Sequence, residues 1–234
     1  MNLPKLETPK YQLTIPSTQK EIDFRPFLVK EEKILLIAQE SGEEPNFIRA
    51  MKDIVNSCTF GQIDAGKLPS FDLEYIFLQI RSKSVGEDAD VGLKCEECEE
   101  VNTVKINLEV IETTKEKPLP NKIELSDEIG IIPQYIKVDD LIRISEIKQS
   151  GDALTETITS SIESIYDQAN VYPMAEASLE EKGEFVDSLN TTQIKKIEKV
   201  FVSAPTLQEK VSFTCKGCGA KNKQLLTGIE SFFV

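Results

Sequence analysis

Two short alternating runs open the pattern of apolar and polar positions. YQLTI (11–15) and EIDF (21–24) flank the turn-forming stretch PSTQK and predict a β-hairpin. From Val29 to about Gln39 the period changes. Ile34, Leu35 and Ala38 recur at helical spacing, and Gly42 offers a stop. EPNFIRAMKDIVNSC (44–58) predicts a second helix, with Phe47, Ile48, Met51, Ile54 and Val55 on one face. GQIDAGKLP reads as a loop. Ser70 is a candidate cap for a third helix, FDLEYIFLQIRSKS, with Leu73, Ile76, Phe77 and Ile80 inward.

Alternation returns in TVKINLEVIE (103–112), where Val104, Ile106, Leu108 and Val110 predict one strand. KEKPLPNK is a loop, and KIELSDEIGIIPQY holds a further short extended piece. From Val138 to about Ala204 the pattern is helical. Helices are expected in DDLIRISEI, LTETITSSIESIYDQ, SLEEKGEFVDSL and NTTQIKKIEKVF. Ser178 with Glu181, and Asn190 with Gln193, fit capping boxes. Pro205 closes the run. KVSF then leads into a cysteine-bearing stretch, and KQLLTGIESFFV follows it as a strand with an apolar tail.

Two cysteine pairs interrupt this pattern: KCEECEEVN (94–102) and TCKGCGAKN (214–222). Each is Cys-x-x-Cys, and each carries Asn four residues beyond its second cysteine, Asn102 and Asn222. Two such knuckles face to face supply four thiolates in a tetrahedron, the geometry Zn²⁺ takes with Zn–S near ~2.3 Å. Backbone N–H groups in each knuckle can spread the thiolate charge. The reading is a zinc ribbon split by a long insertion, with one structural ion held by Cys95, Cys98, Cys215 and Cys218. An iron–sulfur cluster would use the same ligands. Free thiols or a redox pair would also fit four cysteines, although neither pair precedes a convincing βαβ helix. A disulfide framework needs an oxidising compartment, for which the sequence offers no sign. With four sulfurs bound, zinc has no open position and cannot activate water, so the site reads as a fastener. Metal binding at structural sites contributes on the order of 10 kcal/mol in small systems. Here it would tie the base of a loop of more than a hundred residues. Glu96, Glu97, Glu99 and Glu100 surround one knuckle and Lys216, Lys221 and Lys223 the other, which favours pairing within the chain over pairing of like knuckles. Cys58 stands apart and reads as a small buried hydrophobe.

The expected architecture is therefore α+β. Residues 1–90 form an N-terminal hairpin and helical region, 91–112 with 205–234 the split ribbon, and 113–204 a mostly helical insertion. The 234 residues suffice for one large domain or two small ones.

Composition narrows the function by exclusion. The net charge of −13 opposes nucleic acid and anionic lipid. Local basic groups (Lys195, Lys196 and Lys199; Lys216, Lys221 and Lys223) read as solvated faces or partner contacts. No apolar run approaches the ~18 residues of a membrane span. The N-terminus lacks a basic stretch followed by an apolar core, so a cytosolic location is expected. There is no histidine, which removes every Ser-His or Cys-His nucleophile. Glu31–Glu32 and Asp139–Asp140 are adjacent carboxylates that do not face each other on a helix; they read as solvated faces or helix-start charges. The Gly-Lys pair in FGQIDAGKLPS does not fit a P-loop. No catalytic constellation emerges.

The stretch LTIPSTQKEIDFRPFLVKEEKILLIAQ (13–39) resembles the start of the T4-type phage baseplate hub subunit family. The similarity continues through the paired knuckles to the ending LLTGIESFFV. It implies a structural or assembly component of a contractile-tailed phage baseplate hub. Such a protein binds other tail proteins, acts in the host cytoplasm during assembly, and has the virion tail as a destination. Arg25 and Phe27, in the strongest-matching segment, and Phe232 and Phe233, at the C-terminus, are candidate partner-binding residues. A purely structural role is the competing reading for them: a strand exit in which Pro26 stops pairing and Phe27 enters the core, and an apolar tail that packs inside. The competing function is a cytosolic zinc-ribbon adaptor of a nucleic-acid-processing complex, which the acidic charge opposes.

Overall fold

A computed structural model describes residues 6–114, 119–147 and 150–232. It divides into two compact units. One joins residues 1–114 to 206–234; the other comprises 115–205.

The first unit opens with the hairpin of β1 (Tyr11–Thr14) and β2 (Glu21–Phe24), paired antiparallel with Leu13 opposite Ile22. Ile15, Ile22 and Phe24 are buried, the inward half of the alternation. Next come α1 (Val29–Ser41), α2 (Glu44–Cys58) and α3 (Ser70–Val85). Gly42 ends α1 in the left-handed conformation, as its position predicts. On α2, Met51, Ile54 and Val55 are buried. The third helix buries Phe71, Leu73, Ile76, Phe77, Leu78 and Ile80, so apolar contact surrounds much of it. Its N-cap is Pro69 rather than Ser70, and no side chain caps it. Asp72, at the helix start, instead accepts the backbone N–H of Ser17 at 3.0 Å and the Ser17 hydroxyl, tying the β1–β2 turn to α3.

Strands β3 (Asp88–Lys94) and β4 (Val101–Asn107) form an antiparallel hairpin. The single strand expected over 103–112 breaks after Asn107. The Asn107 side chain accepts the Glu109 N–H at 2.9 Å and starts a 3₁₀ turn over Leu108–Val110. Leu108 is buried, as the alternation expects, but Val110 is exposed, so the alternation fails at its last position. A two-residue strand, β5 (Glu112–Thr113), follows.

The second unit holds β6 (Ile123–Glu124), β7 (Gly130–Pro133), α4 (Val138–Glu146), α5 (Ser150–Ser160), β8 (Ile162–Tyr166), β9 (Val171–Pro173), α6 (Leu179–Asp187) and α7 (Thr191–Val202). Its strands form one antiparallel sheet in the order β6-β7-β8-β9. The helix expected over 154–168 divides in two. Ser161 turns its hydroxyl onto the Ile158 carbonyl at 2.6 Å, and the chain then enters β8 with Ile162 and Ser164 inward. Ile158, Ile162 and Ile165 satisfy a helical spacing, but pairing with the apolar β7 decides the outcome. Both capping boxes form, Ser178 with Glu181 and Asn190 with Gln193. Leu125, Ile131, Ile158, Ile162, Met174, Val186 and Ile197 make this unit's core.

The chain returns to the first unit through β10 (Leu207–Thr214) and β11 (Lys221–Thr227), an antiparallel hairpin extended by β5. A 3₁₀ turn over Ile229–Phe232 follows. No helix among the described residues is long and apolar enough to cross a membrane.

Candidate metal centre

Each knuckle is the tip of a hairpin, and the two tips share one backbone design. In the β3–β4 hairpin the Cys95 N–H donates to the Glu100 carbonyl at 2.9 Å, and the Glu99 N–H to the Cys95 carbonyl at 3.0 Å. In the β10–β11 hairpin Cys215 and Ala220, then Gly219 and Cys215, repeat both bonds at 2.9 and 3.0 Å. Each turn needs a left-handed residue just after its second cysteine. That residue is Gly219 (φ 76°) in one and Glu99 (φ 60°) in the other.

The tips meet. Cys95 Sγ lies 3.7 Å from Cys218 Sγ, and Cys98 Sγ lies 3.6 Å from Cys215 Sγ. All four sulfurs fall within 4.8 Å of one another. A tetrahedron with Zn–S near ~2.3 Å has S···S edges of about 3.8 Å, so the two cross-knuckle pairs stand at that spacing and the donor set is compatible with a tetrahedral dication. Cys95 and Cys215 are buried; Cys98 and Cys218 are exposed.

The two asparagines cross between the knuckles. Asn102, on β4, directs its amide to Cys215 Sγ at 3.5 Å and accepts the Lys216 N–H at 2.8 Å. Asn222, on β11, directs its amide to Cys95 Sγ at 3.4 Å and accepts the Glu96 N–H at 2.9 Å. Each also donates to a carbonyl of its own turn, Glu100 or Ala220. Both side chains are buried. Sequence reading registers their equal placement but not this exchange. The signal is the repeated Cys-x-x-Cys-x₃-Asn, whose last position no turn requires.

These donors divide the thiols into two classes. The Cys218 N–H, with the Asn102 amide and the Gly217 N–H behind it, lowers the Cys215 thiol to about 6 against the opposing effect of burial. The Glu97 N–H leads a similar set that lowers Cys95. The Glu100 N–H pulls the Cys98 thiol down, but the Cys218 and Cys215 sulfurs and burial outweigh it and push it up to about 12. Cys218 is also raised: the Ala220 N–H lowers it, while burial and the Cys95 and Cys215 sulfurs act the other way. Cys95 and Cys215 are therefore biased towards the thiolate, and a dication would displace the protons that remain on the four sulfurs.

The expected attraction between acidic and basic knuckles is not what joins them. Among the described residues, Glu96, Glu97, Glu99 and Glu100 form no ion pair with Lys216, Lys221 or Lys223. Neutral asparagine bonds span the junction, together with Gln224 Nε2 donating to the Lys94 carbonyl at 2.6 Å.

The other candidate residues lie elsewhere. Arg25 is buried, with Nη2 2.8 Å from Glu31 Oε1 and 3.0 Å from Ser57 Oγ, and Nη1 2.9 Å from the Pro26 carbonyl. Its partner corrects the reading of Glu31 as a solvated charge. Glu31 is buried, and its second oxygen accepts the Leu28 N–H at 2.9 Å. Burial raises the Glu31 pKa, but the Arg25, Leu28, Ser57 and Lys30 hydrogen bonds win and hold it at about 2. Cys58 is buried against this pair, and burial pushes its thiol up to about 11. Phe27 is half-buried, with its N–H donating to Ser84 Oγ at 2.9 Å. Phe232 is buried at the end of the last 3₁₀ turn; Phe233 lies outside the described residues.

Comparison with curated proteins and with solved structures gives no significant match. A family model described as T4 bacteriophage base plate protein matches residues 8–234, a span that holds both knuckles, the insertion between them and the Arg25–Glu31 pair. The chain belongs to the T4 bacteriophage base plate protein family.

Proposed function

We propose that this protein is a non-enzymatic component of the baseplate hub, or of its assembly, and that one structural zinc ion joins its two knuckles. The carrying observation is the convergence of four sulfurs within 4.8 Å, from cysteines more than a hundred residues apart, inside a chain that the baseplate family spans almost whole. Cys95, Cys98, Cys215 and Cys218 would hold the ion. Four thiolates leave it no position for water or substrate, which supports a fastening role. The charge of −13 and the absence of histidine favour a protein contact over nucleic-acid binding or acid–base catalysis. The partners are other tail proteins, met in the host cytoplasm during assembly and in the virion tail afterwards.

Elemental mass spectrometry on the purified chain tests the metal. One zinc per chain is expected, lost in both Cys95→Ser and Cys215→Ser. Zinc retained in either variant would show that the knuckles do not share an ion. Deleting the reading frame from a phage genome tests the role separately. Loss of infectious particles, with tail proteins recovered on the tagged chain, is expected; normal particle yield would refute a part in the baseplate.

A further inference from the structure

The second helix of the chain buries one side and turns polar residues outward, but α1 does not. It buries Glu31, Leu35 and Ala38 and leaves Val29, Leu36 and Ile37 exposed at 65%, 52% and 68%, with Ile34 beside them at 42%. Val29, Lys33, Leu36 and Glu40 recur at steps of four, three and four, the spacing that keeps one seam facing a neighbouring helix. Exposed Val29, Ile34, Leu36 and Ile37, flanked by Lys33 and Glu40, make a mixed apolar and charged face of the kind that marks an interaction site.

The charges on the seam indicate what covers it. Lys30 and Lys33 stand at the N-terminal end, and Glu40 stands in the last turn, which carries no basic residue. Glu31 and Glu32 in the first turn suit the helix dipole, but Glu40 in the last turn opposes it. Lys33 and Glu40 have no ion-pair partner among the described residues. Glu40 is unfavourably placed within its own helix, and the two charges are complementary between two antiparallel copies. Centring a two-fold axis between Leu36 and Ile37 sets Leu36 of each copy against Ile37 of the other and Lys33 against Glu40 twice. A two-fold interface requires this self-complementarity. We propose that the outward face of α1 takes a second copy of this chain, in antiparallel register, to form a dimer.

Light scattering after size exclusion, on the full chain from micromolar to sub-millimolar concentration, reads the outcome. The wild type should dimerise. Lys33→Glu and Glu40→Lys each place like charges opposite one another twice, and each should weaken the dimer by at least about tenfold. The double variant K33E/E40K restores opposite charges and should restore the dimer. Both positions are solvent-facing, and circular dichroism of each variant confirms the fold. A wild type that stays monomeric throughout this range overturns the proposal. So do single variants that dimerise unchanged, or a double variant that stays monomeric, since a different partner would not respond to the reciprocal exchange.

Discussion

Asn102 stands on one hairpin and places its amide nitrogen 3.5 Å from Cys215 Sγ on the other, and 114 residues separate its carbonyl oxygen from the Lys216 N–H that it accepts. Asn222 returns the same pair of contacts to Cys95 and Glu96. The knuckles are joined by this exchange as well as by the sulfurs. An asparagine is suited to the position because its oxygen receives a backbone N–H while its nitrogen donates to a thiolate.

We expect Asn102→Ala and Asn222→Ala to weaken metal retention by about 10–100-fold each, the usual cost of removing a group that orients a ligand. Chelator competition on the purified chain measures this. The two losses should be similar, because the contacts are equivalent. Asp at either position keeps the acceptor but loses the donor and adds negative charge beside a thiolate, so it should be no better than Ala. Full retention in the Ala variants would make the exchange incidental.

Glu99 and Gly219 occupy the same left-handed place in the two turns. A residue with a Cβ is strained there by roughly 1–2 kcal/mol. Glu99→Gly should therefore raise the unfolding midpoint of the zinc-loaded chain, offset in part by the greater freedom of glycine when unfolded. Gly219→Ala should lower it. Thermal unfolding of the two variants side by side checks the sign, and a shift in the same direction for both would contradict the shared geometry.

The buried Arg25–Glu31 pair makes a prediction about acid. Glu31 has its folded pKa lowered from 4.5 to about 2. Its contribution is therefore fully present above about pH 4.5 and drains away as the pH falls towards about 2. Glu31→Gln removes the charge and leaves a buried guanidinium unpaired, at a cost of about 3–5 kcal/mol at neutral pH. That variant should also lose part of the acid sensitivity in this window, as read by denaturant unfolding across pH. Equal acid dependence in both chains would mean that other carboxylates govern it.

Much of this is legible in the sequence. The hairpin at 11–24, the first three helices and both capping boxes follow from period and end signals. The four-sulfur cluster follows from two matching Cys-x-x-Cys turns. Other features depend on partners that the sequence does not pair. Glu31 is a helix-start charge, as its place in the sequence indicates, but its burial against Arg25, six positions earlier, leaves no sign there. Residues 162–166 satisfy a helical spacing until β7 offers them a sheet edge. Leu108 and Val110 continue an alternation that the Asn107 side chain has already ended.

The insertion leaves and rejoins the first unit at a closed stem. The Thr114 N–H donates to the Thr206 carbonyl at 2.9 Å, and the Thr206 N–H donates to Thr114 Oγ1 at 3.1 Å. The ends of the 115–205 unit are thus held together by the β5–β10 pairing, independently of what lies between them. That unit has its own apolar core, with Ile131, Ile158 and Ile162 among its buried residues, beside a four-stranded sheet. We therefore expect a chain in which a short Gly/Ser turn replaces 115–205 to bind one zinc ion with unchanged affinity. Shortening the loop should, if anything, ease its closure, because closure entropy grows only slowly with length. The excised 115–205 segment should unfold cooperatively alone and take up no zinc. Metal content and thermal unfolding of both pieces decide the matter. A shortened chain that cannot hold zinc would mean that the insertion supports the knuckles, and that the closed stem is insufficient to position them.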